Sequence, residues 1–109
     1  EKRAQIEDIR KRTEDLGKAR VAAQLERDKL SLEFEEEQER IRHYDKRVKE
    51  IKNNREYQSL LRELSFAKRV ASEAETEILK RMELIEHIQR VGVTFYDKEN
   101  AVAESLTAA

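Results

Sequence analysis

Seven cations crowd the middle of this chain: Arg40, Arg42, Lys46, Arg47, Lys49, Lys52 and Arg55, with Tyr44 and Tyr57 among them. A cluster of this density attracts anions, either the phosphates of a nucleic acid or the carboxylates of a protein surface. From Glu39 to Arg69 there are ten Lys/Arg against five Asp/Glu, a local charge of +5 inside a chain whose net charge is only −1. The remainder carries −6. Arg47, Lys49, Lys52 and Arg55 are therefore the candidate partner-binding residues. The alternative is a solvated helical surface whose charges cluster by chance.

Other chemistry is hard to assemble. His43 and His87 are the only histidines and lie far apart in sequence, so no shared metal is expected. No Ser-His-Asp or Cys-His set can be built. The carboxylate runs, such as Glu35-Glu36-Glu37, belong on open, solvated helix faces. Cysteine is absent, which excludes a disulfide framework and a zinc-thiolate site within this segment. These absences point away from an enzyme and predict neither catalytic nor metal-binding residues.

The elements that must carry the cations follow from the apolar pattern. One seam reads Ile6, Ile9, Leu16, Ala23, Leu30, Phe34, Ile41, Tyr44, Val48, Ile51. After a break at Lys52 to Glu56 a second reads Tyr57, Leu60, Leu64, Ala67, Ala71, Ala74, Ile78, Ile85, Ile88, Phe95, Val102, Leu106. Both step by three, four or seven residues, the 3.5-residue repeat of a coiled coil. Proline is absent, glycine occurs only at positions 17 and 92, and 43% of residues are charged, a composition for long helices with a narrow seam.

The break carries helix-start chemistry. Asn53 can accept the orphan amide of Glu56, while Glu56 can reach back to the Asn53 amide as in a capping box. Asn54 tolerates the left-handed conformation that a tight reversal can require. Helices joined by so short a loop are most simply antiparallel neighbours. The predicted fold is all-α, a single antiparallel two-helix coiled-coil hairpin over residues 1–109. Helix 1 is expected over about 2–51, the turn near 51–55 and helix 2 over about 54–106, with Gly92 as the place for a kink.

The turn then fixes the register. Ile51 should face Tyr57, Val48 Leu60, Tyr44 Leu64, Ile41 Ala67, Phe34 Ala74, Leu30 Ile78, Ala23 Ile85 and Leu16 Gly92. Several layers set a large residue against a small one, which keeps helix spacing even. Both tyrosines fall on seam positions, which predicts burial, and Ile51, Tyr57 and Leu60 should hold the reversal together. Glu37, Arg20 and Arg27 also fall on seam positions and should snorkel outward. The β-branched and aromatic stretch Val91 to Tyr96 keeps the heptad phase and is expected to stay helical.

Leu25 and Leu32 sit one heptad apart on the outer face of helix 1 and form a second candidate surface, able to dock another helix or a second copy as a homodimer. Phe66, Leu79 and Leu84 also lie off the seam. No apolar run approaches the roughly 20 residues of a membrane span. Together with the missing signal-peptide core, this leads us to expect a piece of a soluble, cytoplasmic protein.

The stretch from Tyr44 to Leu64, with Lys52-Asn53-Asn54-Arg55-Glu56-Tyr57 followed by Leu60-Leu61, resembles the bacterial coiled-coil proteins that carry a C-terminal four-cysteine zinc ribbon. Glu73 to Leu79 is similar to the acidic second helix of that family. The resemblance covers about residues 40–90 and implies that this segment is the helical part alone, with zinc expected only in a ribbon outside it and no cofactor here. It also implies a non-enzymatic adaptor whose relatives are linked to the sigma-54 factor, to flagellar or type III secretion export components, and to nucleic acid. A protein partner docking at the basic tip is the first expectation. The alternative is a nucleic-acid-binding module using the same tip.

Overall fold

The computed structural model describes residues 1–108 and consists of two helices, α1 over Lys2–Glu50 and α2 over Asn54–Ala108, joined by 51–53. This is the helical hairpin that the interrupted heptad pattern predicts. Charges at the turn favour it: Arg47 and Lys49 occupy the last turn of α1 and Glu56 the first turn of α2, each opposing the local end of the helix dipole. No strand forms among the described residues, and Val91 to Tyr96 lies within α2. The helical phase of Phe95, Val102 and Leu106 thus overrides local β-propensity.

The reversal differs in detail from its expected chemistry. Asn53 Oδ1 accepts the Arg55 amide at 2.8 Å and, more weakly, the Glu56 amide at 3.4 Å. The Asn53 carbonyl accepts the Tyr57 amide at 2.9 Å, the first intrahelical bond of α2. Glu56 does not bond back to the Asn53 amide, so the cap is one-sided. No described residue has a positive φ. Three residues outside the helices spread the reversal, so Asn54 is not needed in a left-handed conformation and opens α2 instead. Asn53→Ala should lower stability by about 1 kcal/mol, read as a shift in the urea midpoint without loss of helix at low denaturant.

The residues group into two compact units. The turn unit, Glu26–Lys80, buries Leu60, Leu64, Ala67, Ala71 and Ala74, all seam positions of α2. Their α1 counterparts Phe34, Ile41, Tyr44 and Val48 are only half-buried. At the Ala67 and Ala74 layers the asymmetry has a steric cause. A two-helix seam can enclose an alanine completely, whereas a large residue facing it extends past the partner helix into water. Glu37 does not snorkel out as expected: its side chain stays largely covered, 14% exposed, and its carboxylate pairs with Arg40 one turn along α1. Arg27 places Nε and Nη2 at 3.1 and 3.0 Å from Asp28 Oδ1.

The end unit, Glu1–Leu25 with Arg81–Ala109, buries Ala23, Ile85 and Ile88. Two cross-helix contacts report its register. Arg10 Nε lies 2.8 Å from Glu99 Oε1, and Lys2 Nζ donates to the Ser105 hydroxyl and, at 3.4 Å, to its carbonyl. Both sit within one residue of the pairing that the turn predicts. Leu16, Gly17 and Arg20 accordingly line one open groove with Ile88, Gly92 and Tyr96.

Gly17 and Gly92 are helical, and a Cβ added at either would meet no atom within 4 Å. Their flexibility is therefore a cost without a packing return. Gly17→Ala and Gly92→Ala should each stabilise the chain by about 0.5–1 kcal/mol in thermal or urea unfolding. Loss of stability at either position would mean that this groove is occupied in solution.

Candidate docking surface at the helical reversal

The last two turns of α1, the 51–53 link and the first turn of α2 bring Arg47, Lys49, Lys52 and Arg55 to one end of the turn unit, and all four are exposed. Their clustering is a consequence of the chain reversal. Lys49 and Arg55 are six residues apart in sequence but flank the same short link. Arg40 and Arg42, further down α1, pair with Glu37 and Glu39 respectively. Arg47, Lys49, Lys52 and Arg55 have no such carboxylate contact, and neither do Lys46, Arg62 and Lys68. No direct ion pair neutralises these four cations, and the nearby carboxylates Asp45, Glu50 and Glu56 offset only part of their charge.

Beneath these cations Leu60 is buried at 4% exposure and Ile51 is half-buried. Tyr57 is not enclosed with them. It is 36% exposed, because at the open end of the hairpin no further layer closes over its ring. The expected burial of both tyrosines thus fails at Tyr57, while Tyr44 is half-buried with its ring 6.1 Å from that of His43. Tyr57 adds an accessible aromatic face to the basic tip.

The second candidate surface is fully open, with Leu25 65% and Leu32 62% exposed on α1. A third feature was legible in sequence only as spacing. Arg55, Arg62 and Arg69 recur every seven residues on the outer face of α2, and Phe66 stands between the last two. The Arg69 guanidinium lies over the Phe66 ring, 5.2 Å from its centroid, while the ring stays 59% exposed.

Among the described residues no three His, Asp or Glu side chains gather closely enough to hold a metal ion, and both histidines are exposed. Among the described residues no helix is long and apolar enough to cross a membrane. Comparison with known proteins returns no matching family model, no matching curated protein and no matching solved structure.

Proposed function

We propose that the chain is a non-enzymatic adaptor whose helical reversal docks on an acidic protein surface through Arg47, Lys49, Lys52 and Arg55. The observation that carries this reading is the set of exposed cations around the reversal that lack a carboxylate contact of their own. A cation already paired within the chain gains little from a partner. An unpaired one can form a charge-assisted hydrogen bond and steer the encounter. The resemblance of residues 44–64 to the zinc-ribbon coiled-coil family favours the sigma-54 factor and flagellar or type III export components as candidate partners, in the cytoplasm of a bacterium.

Reversing Lys49, Lys52 and Arg55 together to Glu should weaken binding to such a partner by at least about tenfold. Helicity should be intact, since surface charges seldom move stability by more than about 0.5 kcal/mol. Immobilised wild-type and reversed chains, each titrated with purified candidate partners and checked by circular dichroism, provide the measurement. Unchanged binding after the reversal would move the site to the Leu25 and Leu32 face.

The exposed ring of Tyr57 at the basic reversal favours a second reading, a nucleic-acid-binding module in which a base stacks on that ring. Phosphate contacts release counterions, so affinity for an oligonucleotide would fall steeply and linearly in log–log form with salt. Tyr57→Ala would then lower affinity further at constant charge. Docking on an acidic protein surface weakens with salt as well, so what separates the two readings is that it predicts no preference for an oligonucleotide.

A further inference from the structure

The outer faces of the two helices carry complementary stripes that cannot meet within one hairpin. On α2, Arg55, Ser59, Arg62, Phe66 and Arg69 follow one another by four, three, four and three residues, so they share one face, and all are exposed. On α1, Asp28, Leu32, Glu35 and Glu39 follow by four, three and four, and all are exposed as well. The first stripe is basic with one aromatic anchor. The second is acidic with Leu32 at its centre and Leu25 one heptad before it. Each lies on the side of its helix away from the seam, so the carboxylates of one chain cannot reach that chain's own arginines across it.

We infer that a second copy of this chain supplies the partner: the Arg62–Phe66–Arg69 face of α2 in one copy docks on the Asp28–Leu32–Glu35 face of α1 in the next. Charge complementarity selects this occupant over an arbitrary apolar helix. Heptad spacing sets the arginines about 10 Å apart along α2, and Asp28 and Glu35 are spaced by the same seven residues along α1. Arg62 and Glu35 have no ion pair within the chain. Asp28 holds Arg27 and Glu39 holds Arg42 in exposed local pairs, with the carboxylates 64% and 73% exposed and each still able to accept a further donor. Phe66 and Leu32 supply apolar contact at the middle of their stripes.

The two faces are different surfaces, so the contact is head-to-tail. It repeats from copy to copy instead of closing into a symmetric pair. Hairpins pointing the same way place α2 of one copy antiparallel to α1 of the next. A contact of this size is transient, and salt weakens it because both stripes are solvent-exposed. This inference goes beyond partner docking at the reversal and uses residues outside the Lys49, Lys52 and Arg55 set.

Sedimentation of the full chain at concentrations up to the order of 1 mM, where contacts of about 4 kcal/mol become populated, tests it. The average mass should rise with concentration past that of a dimer at low salt and fall back toward the monomer at high salt. Arg62→Glu with Arg69→Glu should abolish the rise, and so should Asp28→Lys with Glu35→Lys. Mixing these two variants should restore association past a one-to-one pair, because the reversed α2 face of one complements the reversed α1 face of the other just as their two native faces complement each other. Phe66→Ala, which leaves every charge in place, should weaken wild-type association and provides a second test should a reversed variant lose helicity. A wild-type chain that is monomeric throughout, variants that still associate alone, or a mixture that stays monomeric would each overturn the inference. Loss of partner binding at the reversal would leave these results untouched.

Discussion

Leu64→Ala and Phe34→Ala should each destabilise the hairpin by several times more than Leu32→Ala does. Leu64 is 7% exposed and belongs to the layer that holds Tyr44 against α2. Truncating a leucine so placed costs about 2–5 kcal/mol, and the lower half of that range applies where the seam is narrow enough to collapse partly. Phe34 faces Ala74 but is only half-buried, so its loss should cost about 2–3 kcal/mol, less than for a fully enclosed ring. Leu32, 62% exposed, should change stability by less than about 0.5 kcal/mol in dilute solution. Urea titrations followed at the helical circular-dichroism signal decide the matter. Equal losses for Leu64 and Leu32 would mean that the outer face of α1 is buried even when the chain is dilute.

The seam was legible because a coiled coil writes its contacts into one period. Every buried described residue, from Ala23 to Ile88, falls on a predicted seam position, and Lys52 to Glu56 was the only interruption of the phase. Once the turn was placed, the register near Arg10 and Glu99 followed without further information, since two helices of constant rise cannot drift. Depth of burial was less legible. Apolar type says that Tyr57 wants the seam, but only the geometry of an open hairpin end says that nothing covers it. The capping chemistry was half-legible for a similar reason: Asn53 as cap follows from residue type, whereas the missing return bond from Glu56 depends on a rotamer. At the tip, sequence gave the sign and density of charge. Which cations are already paired depended on side-chain geometry along α1, where Glu37 and Glu39 take Arg40 and Arg42 and leave the cations of the reversal without an ion pair.

Ala67→Asp should be among the most damaging single substitutions in the turn unit, while Ala67→Lys should be far milder. Ala67 is 3% exposed, and the register expected from the turn sets it opposite Ile41. An aspartate there cannot extend its carboxylate to water, because the side chain is shorter than the half-width of the seam. Its charge must be buried or the layer must open, either at about 3 kcal/mol or more, with a further loss of some tenths from helix propensity. A lysine at the same position can lay its methylenes along the seam and carry its ammonium outside. Its cost should be less than half that of aspartate, mainly from overpacking against Ile41. Comparing the two urea midpoints at constant slope separates burial of charge from loss of alanine. Equal destabilisation by Asp and Lys would mean that the seam around Ala67 is closed on both sides, which a two-helix hairpin cannot achieve without a partner covering it.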